Sequence, residues 1–300
     1  MSWGLGFAGL GWLGESLLKD LPGFPALRLA AVQDVRPDLL ERYTSPWRGT
    51  EYSAMLAAPG VDAVVICTPN ALHVPQAQLA LEAGKHVLVQ KPLALTCADA
   101  QATVDLAAQR QRLLFVDYTY RFLETVRVLR ESLRARPRRV SARFHNIYGP
   151  GQEKTWFFDP RLSGGGALVD LGVHLLDLAV WLLQPSAVSL LDAELGGGPP
   201  VETSARLRAL LDDLPFELEV SWNAPLPQTE IAFEVDDLVW ENVEGSFFHF
   251  RTRRGDRVLL DRETTLRADT LRAFVTALET RSAPPIDVRV YAILEEALRR

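Results

Sequence analysis

The sequence predicts an α/β chain: an N-terminal doubly wound parallel domain over residues 1–118, then a C-terminal α+β domain with an open, mostly antiparallel sheet over residues 119–300. Three observations predict it. Short apolar runs alternate with helical patterns through the first 118 residues, as parallel strands joined by crossover helices require. From residue 188 onward, strand-like runs follow one another with little helix between them. Finally, 300 residues, 48% of them apolar, suffice for two cores without disulfides or metals.

Taken in order, Leu5–Gly9 reads as a strand and Trp12–Leu21 as a helix stopped by Pro22 and Gly23. Leu27–Gln33 is a second strand, and a short helix starts at Pro37, a tolerated first-turn position for proline. Ala63–Cys67 is a continuous apolar run, as in a strand covered on both faces. Pro75 opens a helix that Gly84 closes, and His86–Val89 is the next strand. Thr96 with Asp99 resembles a capping box before a helix to Gln109, and Leu113–Asp117 completes the series. Beyond it come a helix over Leu123–Arg134, a long strand over Arg138–Tyr148, a Gly-rich loop and an apolar helix over Gly166–Leu183. Strands are expected at Val188–Leu195, Ala205–Leu211, Phe216–Trp222, Ile231–Val235 and Phe247–Thr252, with closing helices near Arg267–Arg281 and Asp287–Arg299.

The formal net charge of −6 is evenly spread, which argues against nucleic acid as a partner, because that affinity needs clustered cations. The one basic cluster, Arg134, Arg136, Arg138 and Arg139, straddles Pro137 and reads as a solvated connector. Two cysteines, Cys67 and Cys97, suit a reducing compartment and offer no disulfide framework. No signal segment precedes the first strand, and no apolar run is expected to reach membrane-spanning length. The expectation is a soluble, cytoplasmic protein with no membrane partner. His86, His145 and His249 have no partner spacing, so no metal site is expected.

Gly9-Leu10-Gly11-Trp12-Leu13-Gly14 fits G-x-G-x-x-G between a strand and a helix, and Asp34 ends the second strand 20 residues after Gly14. That is the context of a dinucleotide site in a Rossmann domain. Gly9 allows the tight turn, Gly11 a close approach of backbone to the pyrophosphate, and Gly14 close packing of helix on strand. The helix N-terminus supplies N–H donors and positive potential for phosphate. Asp34 is placed to bind the adenosine ribose hydroxyls and to repel a 2′-phosphate, which favours NAD; Arg36, two residues on, keeps NADP open.

Gln90-Lys91-Pro92 lies at the C-terminal end of a parallel strand, the edge where open α/β sheets bind ligands. Asp170 and His174 are four apart on the apolar helix, with Asp177 three further on, so they share one face. A buried acid and imidazole need a reason. One is a structural Asp–His hydrogen bond. The other is hydride transfer, in which His174 takes the hydroxyl proton as the carbinol hydride leaves for nicotinamide. Softer candidates follow. Arg121 is an anionic anchor or a domain-linking salt bridge, with Tyr118 and Tyr120 beside it. Asn146, Tyr148 and Trp156 face a sugar or are core packing.

Gly9–Gly14, Thr68-Pro69-Asn70 with His73, Gln90-Lys91-Pro92-Leu93-Ala94, the Gly164–Asp177 segment and Ser221-Trp222-Asn223 resemble, in this order, the glucose–fructose oxidoreductase/inositol dehydrogenase (Gfo/Idh/MocA) family. The resemblance covers the whole chain. It implies an NAD(P)-dependent oxidoreductase acting at a hydroxyl-bearing carbon of a sugar, cyclitol or similar small polyol, in a homodimer or homotetramer built on the open sheet face. It also implies that Lys91 polarises the substrate oxygen, that Asp170 orients the substrate and that His174 is the general base. Gly9, Gly11, Trp12, Leu13, Gly14, Asp34, Arg36, Thr68, Pro69, Asn70, His73, Gln90 and Lys91 then surround the nucleotide, and Lys91, Arg121, Tyr148, Trp156, Asp170 and His174 the substrate. One departure stands out: the family usually has Glu before the lysine, and this chain has Gln90. Two further functions share these features, an NAD-dependent glycoside hydrolase on the same fold and a non-enzymatic NAD-binding regulator.

Overall fold

The computed structural model describes residues 2–133, 137–148, 155–223 and 229–300. In chain order the elements begin with β1 (Trp3–Ala8), α1 (Trp12–Asp20), β2 (Leu27–Gln33), α2 (Pro37–Leu40), β3 (Trp47–Gly49) and α3 (Tyr52–Ala57). β4 (Ala63–Ile66), α4 (His73–Glu82), β5 (His86–Gln90), α5 (Cys97–Arg110) and β6 (Leu114–Asp117) follow. Next come α6 (Glu124–Ser132), β7 (Val140–His145), α7 (Pro160–Ser163) and a π-helical turn, Leu168–Gly172, that runs into α8 (Val173–Leu183). The chain closes with β8 (Val188–Gly196), β9 (Ser204–Leu211), β10 (Leu214–Ser221), β11 (Glu230–Val235), β12 (Leu238–Asn242), β13 (His249–Arg254), β14 (Arg257–Glu263), α9 (Arg267–Thr280) and α10 (Arg289–Arg299).

The first sheet has the order β3-β2-β1-β4-β5-β6 and is parallel throughout. Strand order reverses between β1 and β4, the topological switch point at which such sheets bind dinucleotides. Ala63, Val64, Val65 and Ile66 of β4 are completely buried, which is why that strand reads as an unbroken apolar run. Thr96 caps α5 as its spacing predicts: its hydroxyl oxygen accepts from the Asp99 N–H at 3.1 Å.

The second sheet has the order β14-β13-β12-β11-β7-β10-β9-β8 and is antiparallel except where β7 and β10 run side by side. Burial alternates along β7, β9 and β10, so one face is apolar and the other polar. Leu218 on the buried face lies 3.5 Å from where a side chain at Gly172 would begin, so the π-helical turn packs directly on β10. The opposite face is charged, with Arg143 bridging Glu230 and Glu234, and Arg206 reaching Glu219 at 3.2 Å.

The chain divides into two compact units, and the boundary expected from sequence is corrected on one point. Unit one comprises residues 1–117 and 267–286, and unit two residues 118–266 and 287–300. The second domain is therefore not contiguous: α9 belongs to the first unit. It does so because its apolar positions complete that core; Phe274 is fully buried, with its ring 5.4 Å from that of Phe115 on β6.

A second correction concerns apolar length. The stretch Pro160–Leu183 is long and apolar enough to pass for a membrane span, yet 78% of its most apolar window is buried inside the fold, the behaviour of a core helix. Of the basic cluster, Arg134 and Arg136 lie outside the described residues; Arg139 approaches Glu217 at 3.9 Å, and the Arg138 N–H donates to Asp236.

Candidate functional site

In the first unit, the glycine turn has the geometry its spacing demands. Gly9 has a φ of +87°, and a Cβ there would lie 2.8 Å from the Cys67 carbonyl carbon and oxygen. A Cβ on Gly14 would lie 2.1 Å from the Gly9 carbonyl oxygen, so α1 seats on the turn only with glycine at that position. At Gly11 the nearest atom to such a Cβ is an Arg36 guanidinium nitrogen 3.8 Å away, so this side of the turn has room for a ligand. Gly11 is also the N-cap of α1 and brings no capping side chain, which leaves the helix N-terminal donors to a ligand.

Asp34 is 5% exposed and ties two backbones together. Its Oδ2 accepts from the Leu10 N–H at 2.7 Å and its Oδ1 from the Arg36 N–H at 2.9 Å. A carboxylate accepts about four hydrogen bonds, so capacity remains for ribose hydroxyls. The Arg36 side chain is 56% exposed, with its Nε 3.4 Å from Asp34. Trp12 is 51% exposed on the first turn of α1, and Arg267 stands 5.4 Å from its ring centroid. No spacing in the sequence connects Arg267 to the glycine turn; only the return of α9 does.

Beyond β4, Thr68 and Pro69 are half-buried and Asn70 is buried. The Thr68 hydroxyl donates to Gln76 Oε1 at 2.6 Å. His73, expected to line the nucleotide, is a brace instead. It is 1% exposed, and its ring nitrogens sit 2.7 Å from the Pro92 carbonyl and 2.9 Å from the Thr68 carbonyl. Two acceptors favour an imidazolium, but burial is the larger effect and holds the His73 pKa below its ordinary value. His73 thus clamps the Thr68 loop to the segment carrying Lys91. Gln90 is buried and donates its amide N–H to Asp117, while Lys91 beside it is half-buried.

In the second unit, Gly164, with a φ of +76°, and the two glycines after it lead into the π-helical turn. Glu202, which sequence reasoning missed, holds that entry: its Oε1 accepts from the Gly166 and Leu168 N–H groups at 2.7 and 3.1 Å. An acid at a helix N-terminus is favoured by the dipole, although burial pushes the Glu202 pKa up. Asp170 lies within the π-helical turn, a form common at functional sites. Its Oδ2 accepts from the Trp222 indole N–H at 3.1 Å. Trp222 is itself buried against Tyr148, Phe157 and Phe158, and Trp156 meets Phe157 edge-on at 4.4 Å. Tyr148 and Trp156 therefore join an aromatic cluster that supports Asp170, and Asn146 accepts from the Thr229 hydroxyl. His174 is half-buried, with its ring 5.0 Å from that of Tyr120.

One expectation about charge is corrected here: Arg121 is not an anion anchor, because Asp177 occupies it. Arg121 Nε donates to Asp177 Oδ2 at 2.6 Å, a second guanidinium nitrogen donates to Oδ1, and both side chains are under 5% exposed. The pair lies wholly within the second unit and does not link domains. Burial pushes the Asp177 pKa up to about 6, against the lowering influence of Arg121.

Comparison with known proteins agrees with this architecture. Residues 4–118 match the family described as an oxidoreductase family with an NAD-binding Rossmann fold, and residues 122–236 match the GFO/IDH/MocA C-terminal domain. D-glucoside 3-dehydrogenase of Escherichia coli (strain K12) is 35% identical over 178 residues, which are 56% of this chain and 50% of that protein. Levoglucosan dehydrogenase of Pseudarthrobacter phenanthrenivorans is 30% identical over 149 residues, 48% of this chain and 37% of that protein. The matched segments thus span half or less of these relatives. Among solved structures, a levoglucosan dehydrogenase in complex with NADH and levoglucosan superposes with a TM-score of 0.84 at 17% identity, covering 100% of this chain and 96% of that one.

Proposed function

The chain belongs to the GFO/IDH/MocA oxidoreductase family, and we propose that it transfers a hydride between NAD(H) and a hydroxyl-bearing carbon of a sugar, cyclitol or related small polyol. The observation that carries this reading is the polar content of one apolar helix. Of its three ionisable groups, Asp177 is consumed by Arg121, whereas Asp170 and His174 keep access to solvent at its N-terminal end. The relatives named for glucoside and levoglucosan support the substrate class.

NAD, when bound, accepts the hydride at its nicotinamide ring. The chain's own groups do the rest. His174 takes the hydroxyl proton as the C–H electron pair departs, leaving a carbonyl, and returns the proton in the reverse reaction. Lys91 hydrogen-bonds the same oxygen and stabilises the charge that develops on it. Asp170, oriented by Trp222, holds a neighbouring hydroxyl. Gly9, Gly11 and Gly14 with Trp12 and Leu13 receive the diphosphate, Asp34 the adenosine ribose, and Thr68, Pro69, Asn70 and Gln90 the nicotinamide half. The preference for NAD over NADP rests on Asp34. A cytoplasmic homodimer or homotetramer, associated through the charged sheet face, completes the reading.

Calorimetric titration with NAD, NADH, NADP and NADPH tests the cofactor, with NAD(H) expected to bind more tightly. A sugar and cyclitol screen followed by NADH absorbance tests the reaction. His174→Ala is expected to lower turnover about 10²-fold or more with NAD affinity retained. Unchanged turnover would remove His174 from the mechanism, and product formation without net NADH change would point to hydrolysis.

A further inference from the structure

At the end of β5 lies a polar pair outside the acid–base scheme. Gln90 and Asp117 are register partners at the C-terminal ends of β5 and β6, and both are buried, at 5% and 1% exposure. The Gln90 amide N–H donates to Asp117 Oδ2 at 2.7 Å. The other carboxylate oxygen accepts from the Thr270 hydroxyl, also at 2.7 Å, and Thr270 is fully buried on α9. Asp117 is thus held by two neutral donors, one on the neighbouring strand and one on the returning helix.

We propose that Asp117 is a positioning residue for the Gln90-Lys91 step: it fixes the Gln90 amide in one orientation, requires an amide at position 90, and supplies from β6 the acidic group of this strand edge. The physical reason is proximity. A carboxylate at position 90 would face Asp117 across one hydrogen bond, and two carboxylates at that separation cannot both ionise. The charged groups around the pair, among them the cations Arg267 and Lys91, set how far that second ionisation is displaced. Cys67, after β4, feels the charges of both Asp117 and Arg267, and its thiol is pushed well up by burial. Lys91 follows Gln90 in the chain, and it lowers the pKa of the neighbouring His73. The inference rests on the reading of Gln90 as a nicotinamide-side residue.

The test compares wild type, Gln90→Glu, Asp117→Asn and the exchanged pair Gln90→Glu/Asp117→Asn. NADH affinity, from nicotinamide fluorescence, and melting temperature are measured over roughly pH 5 to 9. Gln90→Glu is expected to lose NADH affinity and stability together as pH rises and the second carboxylate ionises, by about tenfold in affinity per unit of pKa displacement. The exchanged pair is expected to return to the wild-type profile. If Gln90→Glu alone fails to fold, recovery of the fold in the Asp117→Asn background supports the pairing. A Gln90→Glu profile identical to wild type, or an exchanged pair no better than Gln90→Glu, overturns it. A shift in melting profile with NADH affinity left flat overturns the positioning role. Absence of NADH binding by wild type sinks the cofactor reading alone, since the melting profiles still decide the pairing.

Discussion

Replacing Arg121 with methionine should destabilise the second unit severely. The guanidinium and the Asp177 carboxylate are both under 5% exposed and make two hydrogen bonds. Removing one partner of such a pair costs about 3–5 kcal/mol, because the other charge stays buried. The Arg121 guanidinium also lies 5.0 Å from the Tyr118 ring centroid and 5.7 Å from that of Trp181, worth about 0.5–2 kcal/mol more. At about 2–4 °C per kcal/mol, the two contributions together give an expected fall in melting temperature of about 7–28 °C. Asp177→Leu should cost a similar amount, and the double substitution should recover most of the loss, because an apolar pair replaces a buried ionic one with little penalty. Differential scanning calorimetry reads all three. Single variants that lose less than about 1 kcal/mol, the range of a surface pair, would refute the assignment of Arg121 to the core.

Asp34→Ala should weaken NADH binding and narrow the preference over NADPH, measured by calorimetry; an unchanged ratio would place the adenosine ribose elsewhere. Gly14→Ala should abolish tight NADH binding or lower melting temperature by several degrees, since the new Cβ falls 2.1 Å from the Gly9 carbonyl; an unchanged protein would mean that α1 shifts freely. His73 has a pKa below its unfolded value, so the unfolded chain binds its proton first as pH falls below about 6.5, and stability is lost in that window. His73→Gln should flatten the slope of melting temperature against pH there, and an unaltered slope would assign the acid sensitivity to other groups.

The glycine turn was legible because its chemistry is local: three glycines and a strand-ending acid at set distances suffice to describe it. The same holds for the Thr96 cap. Pairings between distant residues leave no such mark. Asp117 and Thr270 are 153 positions apart, Arg121 and Asp177 are 56 apart, and nothing in either neighbourhood announces the other. The apolar helix was placed correctly, yet its π-helical start was invisible, because one widened turn hardly disturbs the apolar pattern. β12 and β14 escaped for different reasons. β12 follows a two-residue Asp236-Asp237 turn without the glycine that usually marks a hairpin, although Asp236 adopts a φ of +51°. β14 is a sheet edge rich in charge on both faces, so it lacks alternation.

The return of α9 to the first unit bears on how the molecule is made. On a ribosome the chain emerges N-terminus first, and a self-contained leading domain can fold before the rest appears. Here the leading unit lacks Phe274 against Phe115 and Thr270 against Asp117 until synthesis has passed the whole run of second-unit strands and reached α9. The second unit, by contrast, has all the strands of its sheet, β7 to β14, available before α9 and waits for α10. A nascent chain halted before residue 267 should therefore hold an unfinished nucleotide unit that is open to proteases, and a fragment cut at Tyr118 should not behave as an autonomous module.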